Sequence, residues 1–216
     1  MTATDHPLSV DLDPPRAAWS AALPVDTAAL TMLERRLTER ATQSGLVDVA
    51  YRTIETPVGR LLLAATERGV VRVAFEVEEF DAVLATLADR ISPRILAAPA
   101  QLDDAARQLD EYFAGDRTSF DLPLDHTLAG GFRLEVQEFL PRIAYGTTLT
   151  YTQVASEVGR PKAVRAVGTA CATNPHPVIV PCHRVLRSDG SVGGYLGGPA
   201  VKRTLLQFEG AEGHER

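Results

Sequence analysis

The chain has 216 residues, of which 45% are hydrophobic and 23% are charged, and its formal net charge is −6. These values are typical of a globular protein with one large or two small domains. They exclude a membrane-spanning protein, because no apolar stretch approaches the roughly 20 residues that a bilayer requires. With only Cys171 and Cys182, a four-cysteine zinc site is also excluded, and we expect both thiols to be reduced.

The first 45 residues form a separate N-terminal extension in our interpretation. Residues 1–25 are rich in Pro, Ala, Asp and Ser without periodicity, and they lack the basic and apolar regions of a secretory signal. We therefore expect a flexible lead-in. Asp26 or Thr27 is predicted to cap a helix that ends near Gly45, with Leu30, Leu33, Leu37 and Ala41 on one packing face.

From residue 46 the pattern predicts an α+β domain that continues to residue 126. A strand is expected at residues 49–54, and two strands at 60–66 and 70–75 flank a hairpin turn at Glu67, Arg68 and Gly69. Helices are expected at residues 80–90 and 100–113. We expect this domain to be a scaffold, because nothing in it has a catalytic pattern.

The remaining chain, residues 127–216, is predicted to be mostly helical. After a helix at residues 132–145, Thr150 is expected to cap a short helix that ends at Gly159, and Pro161 is expected to open a second helix running to about Thr173. This spacing predicts a helix-turn-helix. Between Arg133 and Arg203 the sequence has nine basic and four acidic residues, which suits a DNA-binding face on an acidic protein.

Cys182 and His183 lie side by side in the segment Pro181-Cys182-His183-Arg184-Val185. A cysteine attacks as a thiolate, and an ordinary thiol pKa of about 8.5 leaves only a few per cent ionised at neutral pH. An adjacent base that is oriented by a third group can supply the ionised form. A neighbouring Cys-His pair alone is a weak signal, because adjacent side chains on an extended segment point to opposite faces.

Several further segments give this pair its meaning. The stretch from Asn174 to Val185, the helix-turn-helix from Tyr151 to Gly168, the loop Gly194-Tyr195-Leu196-Gly197-Gly198 and the closing segment from Leu206 to Gly210 together resemble the O6-alkylguanine-DNA alkyltransferases. The resemblance extends over about residues 47–210. It implies a ribonuclease-H-like α+β domain followed by a mostly helical domain with a helix-turn-helix.

The resemblance also implies roles for individual residues. Cys182 would be the nucleophile and methyl acceptor, His183 would draw its proton, Glu209 would orient His183, Asn174 would brace the turn, and Tyr151 would assist flipping and donate a proton. The implied DNA-binding residues are Arg165, which fills the stack after base extrusion, and Tyr151, Ala163, Gly168 and Thr169. The implied substrate pocket consists of Pro177, Val185, Tyr195 and Leu196.

The implied reaction is a single-turnover repair. The protein would flip O6-methylguanine, with O4-methylthymine as a further substrate, out of duplex DNA bound through its minor groove, and transfer the alkyl group irreversibly to Cys182. We expect no cofactor, no metal and no membrane partner. We also expect a monomer in the cytoplasm, with cooperative assembly on DNA left open.

Other functions stay open at this point. The main alternative is a non-catalytic protein that binds alkylated DNA and flags lesions for another pathway. A damage-responsive regulator and a thiol hydrolase are further alternatives. A hydrolase would need an oxyanion hole and would not need the helix-turn-helix. Cys171 is expected to be a buried helix residue, not a second acceptor.

Overall fold

The computed structural model describes residues 27–211. The predicted lead-in at residues 1–25 and the candidate cap Asp26 lie outside this range. The chain forms two compact units, one that ends at Leu37 and one that begins at Thr38. All sites described below lie in the second unit.

Helix α1 spans Thr27–Gln43, and Gly45 follows it with a φ of +63°, as the sequence predicts. The predicted packing face is not buried: Leu33 and Leu37 are 59% and 62% exposed. The last turns of the helix contact the segment around residues 97–101 through polar groups. The Thr38 hydroxyl donates to the Ala97 carbonyl at 3.1 Å.

A four-stranded sheet forms the centre of the N-terminal half. Its strands are β1 (Val49–Ile54), β2 (Leu61–Thr66), β3 (Gly69–Phe75) and β4 (Ile95–Ala97). The order is β3-β2-β1-β4, with β4 parallel to β1 and the other pairs antiparallel. The sequence predicts the first three strands but not β4, which is too short to show a period of two.

The hairpin between β2 and β3 turns at Glu67 and Arg68, as predicted. Gly69 has a φ of +130°, and a Cβ atom there would collide with the Pro123 carbonyl. Glycine is therefore required for both the backbone conformation and the close approach.

Two helices cover the sheet, one on each face. Alternate residues of β2 point to opposite faces, so Leu62 and Ala64 pack with α2 (Phe80–Arg90), while Leu61 and Leu63 pack with α3 (Asp103–Ala114). Helix α2 matches the prediction. Helix α3 begins three residues later than predicted, because Pro99–Leu102 forms a separate 3-10 turn.

The C-terminal half is mostly helical, with α4 (Phe132–Phe139), α5 (Tyr151–Glu157), α6 (Val164–Ala172) and α7 (Gly198–Phe208). Helix α4 is shorter than predicted: a 3-10 turn, Leu140–Arg142, replaces its last part where Pro141 lacks an N–H donor. Two short strands, β5 (Leu149–Thr150) and β6 (Val185–Leu186), pair in parallel and connect the start of α5 with the segment that follows Cys182.

The α+β class predicted from the sequence is confirmed. One buried cluster combines α4, α5 and α6 with Val180, Cys182 and Val185, and the cluster under the sheet includes Val178, Ile179 and Leu205. The segment that precedes Cys182 therefore lies between the two halves. Within residues 27–211, no helix is long and apolar enough to cross a membrane.

Candidate active site

The turn that precedes Cys182 is organised by the buried side chain of Asn174. Its amide nitrogen donates to the Val180 carbonyl at 2.8 Å and to Cys182 Sγ at 3.2 Å. Its amide oxygen accepts from the His176 backbone N–H at 3.0 Å. One side chain thus closes the turn and contacts the thiol, which agrees with the bracing role that the resemblance implies.

The same turn is anchored to strand β3 of the N-terminal half. The Val73 N–H donates to the Pro175 carbonyl at 2.8 Å, and His176 Nε2 lies 2.9 Å from the Val70 carbonyl. Between these anchors and Cys182, Val178 is buried with a φ of +73°. A β-branched residue in the left-handed region is strained, by about 1–3 kcal/mol, and persists only where its surroundings fix it.

Cys182 begins a 3-10 turn, Cys182–Arg184, and its side chain is almost fully buried. Burial raises the pKa of the Cys182 thiol, while the Asn174 amide and the ammonium group of Lys202 lower it. Lys202 is itself fully buried, and its Nζ donates to the Val185 carbonyl at 2.5 Å. No motif or periodicity in the sequence predicts this cation near the thiol.

His183 and Glu209 form a buried pair. His183 Nε2 lies 2.8 Å from Glu209 Oε1, and both side chains are fully buried. Burial lowers the pKa of His183 despite the nearby carboxylate, so the imidazole is neutral at physiological pH. With Nε2–H donated to Glu209, the other ring nitrogen Nδ1 is a lone-pair acceptor, and it is buried without a hydrogen-bond partner among residues 27–211.

Two further residues hold Glu209 in place. Arg184 donates from Nε to Oε2 at 2.8 Å and from a terminal nitrogen to Oε1 at 2.9 Å, and Tyr112 donates its hydroxyl to Oε1 at 2.7 Å. Although burial opposes ionisation, the bonds from His183, Arg184 and Tyr112 lower the pKa of Glu209 to about 2. The carboxylate is therefore ionised and rigidly oriented.

Tyr112 comes from α3 in the N-terminal half, so the predicted scaffold contributes directly to the hydrogen bonds around Glu209. The sequence places Tyr112 in a segment similar to the alkyltransferases but offers no signal for this contact, because Tyr112 and Glu209 are 97 residues apart. Arg184, beside His183, was expected only as part of the motif.

Two tyrosines lie close to Cys182. Tyr151 and Tyr195 both pack against the buried cluster that contains Cys182 and Val185, and the Tyr195 ring centroid is 6.4 Å from that of His183. Burial, followed by the charge of the two cysteines, raises the pKa of Tyr151 to about 12. Tyr151 therefore keeps its proton at neutral pH and is a donor close to the thiol.

The loop of glycines leaves room for these rings. A Cβ atom at Gly193 would collide with the Tyr151 hydroxyl, and one at Gly197 would lie 2.9 Å from the Phe75 ring. Of the other predicted pocket residues, Pro177 is buried in the turn before Cys182. Leu196 packs against the cluster beneath the sheet, not against the cluster that contains Cys182.

The helix-turn-helix predicted from the sequence is formed by α5 and α6. Thr150 caps α5: its hydroxyl accepts from the Gln153 N–H, and Gln153 Oε1 accepts from the Thr150 N–H at 2.7 Å. Gly159 ends the helix with a φ of +72°. The prediction that Pro161 opens the second helix is wrong, because α6 begins at Val164.

The reason lies in the turn between the two helices. The Ala163 N–H donates to the Arg160 carbonyl at 2.8 Å, which closes a turn with Pro161 at its second position. The fixed φ of proline suits that position as well as it suits the first turn of a helix.

Helix α6 presents an exposed face with little bulk. Arg165, Ala166, Thr169, Ala172 and Thr173 are exposed on it. A Cβ atom at Gly168 would meet nothing within 4 Å, so packing inside the protein does not require this glycine. Within residues 27–211 the Arg165 side chain has no ion-pair partner.

The sequence matches two family models. Residues 49–126 match the 6-O-methylguanine DNA methyltransferase ribonuclease-like domain, and residues 131–211 match the DNA binding domain of the same family.

Curated relatives agree with these models. The chain is 38% identical over 160 residues to the constitutive methylated-DNA–protein-cysteine methyltransferase of Bacillus subtilis, covering 74% of this chain and 94% of the relative. It is also 38% identical over 159 residues to the protein of that name from Methanosarcina barkeri, covering 74% and 96%.

A solved structure with DNA is similar as well. The Mycobacterium tuberculosis OGT in complex with DNA is 38% identical and has a TM-score of 0.65, and the match covers 75% of this chain and 93% of that one.

Proposed function

Because the chain belongs to the 6-O-methylguanine DNA methyltransferase family, we propose that it repairs O6-methylguanine in duplex DNA by accepting the methyl group on Cys182. It is a DNA repair protein that binds DNA and transfers the methyl group of methylated DNA to a cysteine. The observation that carries the assignment of Cys182 is its setting: the Sγ atom accepts from Asn174, and the next residue in the chain, His183, is paired with Glu209.

The first step is ionisation of the thiol. Neutral His183 has a free acceptor at Nδ1 and donates from Nε2 to a carboxylate that stays ionised. It can therefore take the Cys182 proton, directly or through a water molecule, and Glu209 stabilises the imidazolium that forms. Asn174 and Lys202 stabilise the thiolate.

The second step is displacement at the methyl carbon. The Sγ–C bond forms as the bond between the methyl carbon and O6 breaks, and the electron pair passes to the guanine ring. The departing guanine then needs a proton, and Tyr151, which keeps its proton at neutral pH, supplies it. Val185, Tyr195 and Pro177 form the apolar surroundings of the flipped base, with Leu196 at its edge.

The product decides how often the protein acts. A thioether has no good leaving group, so methylated Cys182 is not regenerated and each molecule reacts once.

DNA is bound through the helix-turn-helix, with α6 in the minor groove. The small side chains of the exposed face of α6, and the open space around Gly168, suit close approach to a narrow groove. Arg165, exposed and unpaired within the described residues, fills the stack that the flipped base leaves. Ala163 and Thr169 lie on the same helix or at its start.

We also propose a division into an N-terminal extension at residues 1–45, a scaffold domain at 46–126 and a catalytic DNA-binding domain at 127–216. Tyr112 and the β3 anchors indicate that the scaffold domain also orients the catalytic groups.

The test is intact mass after the protein is mixed with a duplex that contains one O6-methylguanine, followed by peptide mapping. The expected result is a gain of one methyl group on Cys182, saturating at one per protein and absent in Cys182→Ala. Tight binding to the duplex with no gain in mass would instead support the alternative, a protein that flags lesions without removing them.

A further inference from the structure

A cleft of about 300 Å³ lies beside the candidate active site, between α2, the start of α4 and the end of α6. Its walls come from both halves of the protein. Thr86, Leu87 and Arg90 of α2 form one side, and Ala172 and Thr173 at the end of α6 form the other. No role in the proposed reaction accounts for this cleft.

The cleft is lined by three arginines, Arg72, Arg90 and Arg133, and by no acidic residue. Arg72 is mostly buried, and its guanidinium is paired with Glu78 and donates to the Asn174 carbonyl at 3.4 Å. Arg90 and Arg133 differ from it: both are exposed, and neither makes a side-chain hydrogen bond or ion pair within residues 27–211. Two uncompensated positive charges therefore face the same cleft of a protein whose net charge is −6.

The position of the cleft connects it to DNA binding. Ala172 and Thr173 belong to the exposed face of α6, Pro175 follows Asn174 in the turn before Cys182, and Leu196 directly follows Tyr195 of the proposed base pocket. All four residues line the cleft. The same cleft is lined by Arg90 and Arg133, so a DNA strand in contact with the end of α6 would pass next to these two side chains.

We propose that this cleft binds a backbone phosphate of the DNA strand, with Arg90 and Arg133 as its ligands, and this proposal rests on the proposed function. A guanidinium presents several N–H donors in a plane and matches the oxygens of a phosphodiester. Arg90 lies in the half that matches the ribonuclease-like domain, so the DNA footprint extends beyond the helix-turn-helix to the domain that the sequence predicts to be only a scaffold.

The experiment measures the affinity for an unmodified duplex as a function of salt, for Arg90→Gln, Arg133→Gln and the double variant. Neutralising one phosphate contributes about 0.9 to the slope of log K against log salt, so the double variant should lose about that much and each single variant only part of it. The control is Arg36→Gln with Arg40→Gln, which removes two exposed charges from α1 and should leave the slope unchanged. Circular dichroism confirms that each variant is folded.

A second measurement uses the free base O6-benzylguanine as alkyl donor, because it needs no DNA contact. The Arg90 and Arg133 variants are expected to react with it at the wild-type rate. An unchanged salt slope in the double variant would overturn the proposal while leaving the alkyl transfer intact. If the wild type failed to gain mass from methylated duplex, the proposed function would fail, yet the slopes on unmodified duplex would still test the cleft.

Free inorganic phosphate could occupy the same cleft instead of a phosphate of the DNA backbone. Thermal unfolding in millimolar phosphate distinguishes the two. A phosphate-dependent rise in Tm that disappears in the double variant, together with an unchanged DNA slope, would show a site for the free ion and contradict the DNA assignment.

Discussion

Helix α6 and the turn that follows it each carry one buried cysteine, and the two thiols differ in what surrounds them. Burial raises the pKa of both Cys171 and Cys182, and Lys202 lowers both. Within residues 27–211, only Cys182 also accepts a hydrogen bond from Asn174, and it directly precedes His183, which is paired with Glu209. The comparison indicates that hydrogen-bonding neighbours, and not exposure, distinguish the proposed nucleophile Cys182 from Cys171.

The largest effect is expected from Glu209→Gln, which removes the negative charge that the surroundings of Cys182 contain and those of Cys171 do not. An amide cannot accept from His183, Arg184 and Tyr112 together, and Arg184 is left without its ion pair. We expect methyl transfer to slow by on the order of 100-fold or more, with a loss of about 3–5 kcal/mol in the free energy of unfolding.

Single-turnover kinetics on methylated duplex and urea unfolding measure the two quantities for Glu209→Gln. A near-normal rate in folded protein would mean that His183 does not depend on Glu209.

Asn174→Ala removes the hydrogen bond from Asn174 to Cys182 Sγ, which has no counterpart at Cys171 within residues 27–211, and it opens the turn before Cys182. The His176 N–H loses its buried partner, while the Val180 carbonyl keeps the bond from the Cys182 N–H, and the change should cost about 1–3 kcal/mol. The thiol pKa should rise, so the pH at which iodoacetamide reacts at half-maximal rate with Cys182 moves upward. The reactivity of Cys171 gives the internal reference, and an unshifted profile for Cys182 would contradict the role of Asn174.

The stability of the protein at low pH tests His176, which anchors the turn to β3. Burial lowers the pKa of His176 to about 4. The unfolded imidazole binds a proton near pH 6.5 but the folded one does not, so stability is present above pH 6.5 and is lost as the pH falls towards 4. The full difference corresponds to about 3 kcal/mol.

His176→Gln should flatten this part of the curve when urea midpoints are compared at pH 7 and pH 4.5. The pKa of His183 is shifted in the same direction. The urea midpoint of the wild type should therefore fall more steeply with pH than that of the variant, but the two histidines should not give separate transitions. Identical slopes for the two proteins would exclude His176 as a source of acid sensitivity.

Tyr112→Phe removes one donor from Glu209 and leaves the three bonds from His183 and Arg184. We expect a loss of about 1–3 kcal/mol in stability and a decrease of a few-fold in the transfer rate. Tyr145→Phe is the matched control, because the Tyr145 hydroxyl donates only to an exposed carbonyl, at 3.3 Å. Equal effects of the two substitutions would argue against a specific role for Tyr112.

The smallest effect is expected from Cys171→Ala. The thiol lies in the same cluster as Cys182 but has no donor aimed at it, so the transfer rate should stay within twofold of wild type. Loss of one buried sulfur should cost about 1 kcal/mol. A large loss of methyl acceptance, measured by intact mass, would remove the distinction between the two cysteines.

The sequence by itself determined the α+β class and the helix-turn-helix with its Thr150 cap and Gly159 end, and its resemblance to a known family supplied the candidates Cys182, His183, Asn174 and Glu209. These features are local: caps and turns depend on residues a few positions apart, and motifs are read in order along the chain. The same locality explains the errors. Pro161 suits both a turn and a helix start, and only the surrounding structure chose between them.

Only the tertiary structure decided which distant groups surround Cys182 and Glu209. Tyr112, Lys202 and the β3 anchors of the turn come from segments far away in sequence. Burial keeps His183 neutral, and the hydrogen bonds from His183, Arg184 and Tyr112 keep Glu209 ionised. The cleft with Arg90 and Arg133 likewise exists only where α2, α4 and α6 meet. Such contacts depend on how elements pack, and no periodicity or motif in a single sequence records that packing.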